Sequence, residues 1–210
     1  MAFFDFLHRQ AAAQKREIPI FPLATVLFPG GVLGLQVFET RYLDMAAACL
    51  RDKTPFGVCL AIAGKEGETA LQPHPIGTLA EIASADMEQT GILLLSVRGG
   101  ERFRILNSRS QPDGLLRAEV EFLPPLPKLA PPPERHRLLR LLVRVVSDLG
   151  PEKMPEPHPF DDAEWVSYRL TEILPVKNLA KQKLLELENP LVRLEILERY
   201  LAEHGLLGPQ

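Results

Sequence analysis

Residues able to do bond-making chemistry are few and scattered in this sequence. The five histidines are His8, His74, His136, His158 and His204, and no pair has the close spacing of a helical metal site. His74 lies between Pro73 and Pro75, which marks an exposed loop. The two cysteines, Cys49 and Cys59, are too few for a disulfide framework and read as buried thiols in a reducing cytoplasm. Gly64-Lys65 is followed by Glu66 and lacks the upstream glycine of a phosphate-binding loop. No serine sits in a Gly-x-Ser-x-Gly elbow. Asp161-Asp162-Ala163-Glu164 offers carboxylates to a cation, but Asp161 with Glu164 three residues on is the pattern of a helix capping box. These observations predict a non-enzymatic protein with no metal and no cofactor.

Two charged constellations remain. Glu39 and Arg41 stand where a strand would pass into a helix; the simplest reading is structural, with Glu39 favouring the helix dipole and paired with Arg41 or another arginine, and the alternative is direct ligand contact. Arg98, Arg102, Arg104 and Arg109 cluster around a glycine pair, and Arg137, Arg140 and Arg144 line one side of a helical segment. They read either as two solvated faces or as a basic stripe for RNA. Against the stripe stand a formal net charge of −3 and few aromatics placed for base stacking.

The elements that must hold these groups follow from apolar periodicity. Ile18, Ile20 and Leu23 form an apolar run broken by Pro19 and Pro22, so the spacing predicts an irregular or edge strand. Phe28-Pro29-Gly30-Gly31 is a turn, and residues 32–38 are a second strand. Thr40 occupies an N-cap position, and Leu43, Ala46, Ala47 and Leu50 repeat at helical spacing behind it. Strands are predicted over 56–63, 76–86, 92–97 and around Phe103 and Ile105, with Arg98-Gly99-Gly100-Glu101 as a turn. Leu116, Ala118, Val120 and Phe122 alternate with Arg117, Glu119 and Glu121, as in a strand with one wet face.

Composition changes at Pro124. The stretch PPLPKLAPPP is extended and semi-rigid, which suits a linker. Helices are predicted over 134–149, from Asp161 to Pro175, from Asn178 to about Glu188, and from Asn189-Pro190 to about Glu203. The reading is α+β in four parts: an extension at 1–16, a β-rich unit at 17–123, a linker at 124–133 and a helical unit at 134–210. The extension carries Phe3, Phe4, Phe6 and Leu7 around Asp5. It reads as a short amphipathic segment rather than a signal peptide. No run approaches the roughly 20 apolar residues of a membrane span.

Several of these stretches carry a resemblance. Leu27-Phe28-Pro29-Gly30 followed by Phe38-Glu39-Thr40-Arg41-Tyr42 is similar to the opening of the N-terminal substrate-binding domain of Lon proteases. Pro55-Phe56-Gly57-Val58, Ile76-Gly77-Thr78-Leu79-Ala80-Glu81-Ile82, and Val97-Arg98-Gly99 with Glu101-Arg102-Phe103-Arg104-Ile105 resemble that family's next strands, in the right order. The resemblance implies a twisted, partly closed barrel of PUA-like form with one helix, and a helical bundle behind it. Phe38, Glu39, Arg41, Tyr42, Gly77 and Gly99 of these motifs are given structural roles, and Phe38 and Tyr42 read, as aromatic side chains, as core. The resemblance also implies the substrate-binding domain standing alone, without the ATPase and peptidase domains, and a polypeptide or partner protein as ligand. On that reading Phe21, Pro22, Phe28, Pro29 and Arg98 are the candidate contacts, with Phe28-Pro29 an exposed apolar loop and Phe21-Pro22 a proline-broken edge. The runner-up is an RNA-binding accessory protein using the arginines. The oligomeric state is left open.

Overall fold

The computed structural model describes residues 15–62, 72–89 and 91–207. The amphipathic N-terminal segment with Phe3, Phe4, Phe6 and Leu7, His8, and the Gly64-Lys65 stretch lie outside these residues.

In chain order the described elements are β1 (Lys15–Leu23), β2 (Val32–Val37), α1 (Thr40–Asp52), β3 (Phe56–Ile62), β4 (Gln72–Pro73), β5 (Ile76–Gln89), β6 (Ile92–Ser110) and β7 (Leu116–Phe122). A single 3₁₀ turn at Pro133–Arg135 then leads into α2 (His136–Leu149), α3 (Ala163–Ile173), α4 (Asn178–Glu186) and α5 (Pro190–Glu203). The strands run β1-β7-β6-β5-β3, and a parallel pairing of β1 with β3 closes them into a ring. β2 adds to the first half of β6, outside that ring.

β1 shows how a proline-broken strand can lie within a ring. Lys15 to Ile20 pairs with β7, and Ile20 to Leu23 pairs with β3. Each half therefore pairs on one side only, which leaves a side where a missing N–H costs no ladder bond.

β6 corrects the turn expected at Arg98-Gly99-Gly100-Glu101. The strand runs unbroken through all four residues. The glycine at 99 answers to close approach rather than to a reversal. A Cβ there would stand 2.1 Å from the Phe28 carbonyl oxygen. The turn at 28–31 is clamped to this point, with Gly30 N–H donating to Gly99 O at 2.7 Å and Gly99 N–H to Gly31 O at 2.8 Å.

Inside the ring, Ile18, Ile20, Cys59, Leu79, Phe103, Ala118 and Val120 pack together, with a residue from each of its five strands. On the other face of β3, Phe56 and Val58 pack with Leu95, Val97 and with Tyr42, Met45 and Ala46 of α1. Thr40 is the first helical residue and not the cap. Glu39 takes the N-cap position with no side-chain hydrogen bond to the helix, because its carboxylate is held by Arg41 at 2.6 Å. At α3 the cap is Asp162, one residue beyond the expected Asp161, and its carboxylate accepts from Glu164 N–H at 2.9 Å. The helices form their own core around Leu138, Leu142, Val166, Leu170, Leu194 and Leu197.

A further apolar cluster joins the two halves: Val26, Phe28 and Leu60 from the sheet side meet Leu126, Tyr168 and Leu185. Polar side chains reinforce this seam by donating to backbone carbonyls. Arg169 reaches Pro29 O (2.7 Å), Arg102 reaches Leu185 O (3.0 Å), Gln182 reaches Ile76 O (3.0 Å), and Asn178 reaches Ala24 O.

Candidate functional site

The five residues favoured from sequence do not assemble into an apolar surface. Phe28 is fully buried, with its ring centroid 5.3 Å from that of Tyr168. Phe21 is buried and stacks on Tyr42 at 3.9 Å, and Pro22 beside it is buried too. Only Pro29, half-buried, and Arg98, exposed, reach solvent. The expectation of an exposed Phe28-Pro29 loop is therefore corrected: the loop's aromatic ring fastens the helices to the sheet. The reverse correction applies to Phe38, which is 65% exposed rather than in the core. Tyr42 is buried as expected.

The basic stripe is likewise interrupted. Arg102 is buried in the seam. Arg109 and Arg117 both bind Glu17, at 2.9 and 2.7 Å, and hold its carboxyl below the usual range. Arg104 lies 3.9 Å from Glu121.

Nucleophilic chemistry has no foothold in the thiols. Burial raises the Cys49 thiol and raises Cys59 far more, so neither supplies a thiolate near neutral pH. Among the described residues, no three His, Cys, Asp or Glu side chains converge as a metal site would require. Among them, too, no helix is long and apolar enough to cross a membrane.

What the structure does present is a groove in the helical half. It has a volume of about 850 Å³ and lies between the turn after α3, helix α4 and helix α5. Leu174, Val176 and Leu184 form its floor with Leu187 and Leu197, while Ile196 and Tyr200 of α5 make one wall. Lys177, Lys183 and Glu186 stand in its lining as the charged groups.

Local sequence explains why this groove holds its shape. Pro175 stops α3, since a proline cannot continue the ladder. Asn189 caps α5 by accepting from Leu191 and Val192 N–H, with Pro190 in the first turn. Arg193, fully buried, then locks the α4–α5 turn. It donates to Leu184 O (2.8 Å), to Leu187 O, to Ser167 Oγ (2.9 Å) and to Tyr168 Oη (3.3 Å). Its guanidinium also lies 4.0 Å from the Tyr168 ring centroid. One arginine thus fixes the wall of the groove to the residue that packs on Phe28.

A ring of strands with one helix packed against it, and a helical bundle fastened behind, is the fold of the Lon N-terminal domain. A family model for the substrate-binding domain of the ATP-dependent protease La (LON) matches residues 17–203. The chain belongs to this family. The crystal structure of a Lon N-terminal domain protein from Xanthomonas campestris superposes with a TM-score of 0.74 at 36% identity, covering 88% of this chain and 98% of that one. The N-terminal domain of a Mycobacterium avium complex Lon protease shares the fold, with a TM-score of 0.65 at 19% identity over 90% of this chain and 100% of the other. Among curated proteins, cereblon from Danio rerio is 32% identical over 123 residues, 56% of this chain and 27% of cereblon. A LON peptidase N-terminal domain and RING finger protein from Schizosaccharomyces pombe is 26% identical over 95% of this chain and 49% of its own length. The chain thus spans between about a quarter and a half of these two curated relatives. Membership supports a substrate-recognition module with a protein or polypeptide partner, and a Lon substrate-binding domain is not itself catalytic.

Proposed function

We propose that this chain binds polypeptide segments through the groove between α4 and α5, and acts by binding rather than by catalysis. The observation that carries this reading is the groove itself: open, lined by leucines, valine, isoleucine and tyrosine, and large enough for several apolar side chains. An apolar groove with a few charged groups in its lining is the usual form of a binding site. Ile196 is 41% exposed on its wall. Family membership supplies the class of ligand, and the reading needs neither thiol and no metal.

The test is a fluorescence anisotropy titration with a labelled, permanently unfolded polypeptide, at low and moderate salt. Saturable binding that survives salt is expected, because apolar contacts are not screened. Ile196→Asp with Tyr200→Ser should weaken it by about tenfold or more while the thermal midpoint stays close to the parent's. Equal binding by parent and double variant would overturn the placement. Binding to single-stranded RNA that collapses with salt would point to the arginines instead.

A further inference from the structure

We infer that the segment taken by the α4–α5 groove binds as an amphipathic helix with an acidic flank. The inference rests on the polypeptide-binding reading above and deepens it. Three observations carry it.

The first is backbone chemistry. An extended peptide brings an unpaired N–H and C=O with every residue, and burying one without a partner costs about 1–3 kcal/mol. The groove walls offer few partners. Beyond the uncapped first turn of α4, both helices pair their backbone groups along their own length. In the turn between α3 and α4, Leu174 O already accepts from Val176 N–H, and Lys177 O accepts from Ala180 and Lys181 N–H. The free strand edges lie elsewhere: beyond Ala80, β5 pairs only with β6, and β2 pairs only with β6. Neither β2 nor β5 contributes to the groove. A helix satisfies its own backbone and needs only side-chain pockets.

The second is periodicity along α5. Ile196 and Tyr200 line the groove four residues apart, and Val192, outside the groove's lining, continues their stripe; Val192 and Ile196 are each 41% exposed. Eight residues of helix extend this stripe over about 12 Å. A ligand helix with apolar anchors at i, i+4 and i+7 spans about the same length.

The third is charge. Two lysines and one glutamate line the groove. Glu186 is held by Lys183 Nζ at 2.8 Å and Gln182 Nε2 at 3.0 Å, so its charge is met within α4. Lys177 is exposed at the N-terminal edge of α4 and has no ion pair among the described residues. A carboxylate on the ligand's flank would complete it, and a lysine there would be repelled.

The test uses three labelled peptides of about 18 residues, long enough to form a helix on binding. The first places leucines at i, i+4, i+7 and i+11 with glutamates on the flanks. The second replaces each glutamate by lysine. The third keeps the acidic composition but carries two central prolines. The acidic helical peptide should bind about tenfold tighter than either other peptide, with a gain in helical circular dichroism. Lys177→Glu should reverse the charge preference, and Ile196→Asp should abolish binding. Equal or tighter binding of the proline-broken peptide would overturn the helical mode, and indifference to charge would overturn the acidic flank. Sedimentation of the chain alone is run alongside. Self-association lost in Ile196→Asp would mean that a second copy fills the groove, and would also overturn the inference. The unfolded polypeptide separates the two levels. If Ile196→Asp loses it while peptide helicity makes no difference, the groove stands and the helical mode falls. If Ile196→Asp changes nothing, both fall.

Discussion

The proline-broken loop before β2 and the groove between α4 and α5 are both rich in apolar residues, and the fold treats them in opposite ways. Val26 and Phe28 are 8% and 0% exposed, closed under Tyr168, Leu126 and Leu185, and Leu27, 3% exposed, packs into the cluster beside α1. Leu174, Leu184 and Leu197 are also buried, yet above them the described residues supply no further layer, and Ile196 stays 41% exposed. The difference shows that a run of apolar residues does not say whether its surface is used within the chain or left for a ligand. What decides is whether another element can reach it. The loop is pinned to β6 and roofed by α3 and α4. Among the described residues, no strand lines the groove.

The largest expected effect separates these two regions directly. Phe28→Ala removes a fully buried ring from the seam and should cost about 3–5 kcal/mol in urea unfolding. Ile196→Asp sits on an open wall and should change stability by no more than about 0.5 kcal/mol while removing binding. If Phe28→Ala proves as mild as Ile196→Asp, the loop is not the fastener described here.

Arg193 tests whether the two regions are coupled. Its guanidinium bonds both the α4–α5 turn and Tyr168, which packs on Phe28. Arg193→Leu keeps bulk but leaves the Leu184 and Leu187 carbonyls without this donor, and should cost about 3 kcal/mol. Groove binding should weaken as well, because the wall loses its tie. Loss of stability with unchanged peptide affinity would show that the groove keeps its shape without this arginine.

Much of this architecture is legible in the sequence, and the gaps have physical causes. Alternation from Leu116 to Phe122 marks β7, and Gly150 and Asn189-Pro190 bound their helices, because caps and periods are local signals. β6 is hidden because a glycine pair reads as a turn, whereas Gly99 serves close approach to Phe28. Arg169 and Arg193 carry no signal in the apolar periodicity, and only the fold shows them donating to carbonyls inside. The groove is the least legible feature. Leu174, Leu184 and Ile196 carry ordinary helix-core periodicity, and an unfilled face leaves no mark in a one-dimensional pattern.

A titration of Glu172 asks whether the seam is sealed against charge as well as against water. Arg169 binds its carboxylate at 2.9 Å, and a Cβ at Gly31 would collide with it. Burial pushes the carboxyl from 4.5 up to about 7, against the pull of Arg169 and Lys181. Between those values the folded chain keeps a proton that the unfolded chain releases, so stability falls as pH rises from 4.5 to 7 and then levels off. Glu172→Gln cannot titrate. Its stability relative to the parent should therefore rise across that window by something on the order of 2 kcal/mol, allowing for the side chain's 22% exposure. Urea midpoints from pH 4 to 8 read this out. A constant difference between the two proteins would show that the carboxyl titrates normally.

The smallest effect concerns Phe38, an aromatic residue whose type alone suggests the core. Val37 and Met87 both face Leu93 across the sheet, at the end where β5 and β6 meet. Phe38 follows Val37 there and is 65% exposed, as is Met87. The strand alternation that turns Val37 inward turns its neighbour outward, and α1 begins too soon for the chain to fold the ring back. Phe38→Ser should accordingly change stability by no more than about 0.5 kcal/mol, an order of magnitude below Phe28→Ala. A phenylalanine this exposed is also a candidate for a second contact. If Phe38→Ser leaves stability alone but weakens binding of the unfolded polypeptide as much as Ile196→Asp does, recognition extends to the sheet. The contrast between a closed β half and an open helical half then gives way to one between the sealed seam and two exposed ends. If only Ile196→Asp weakens binding, the contrast holds as drawn.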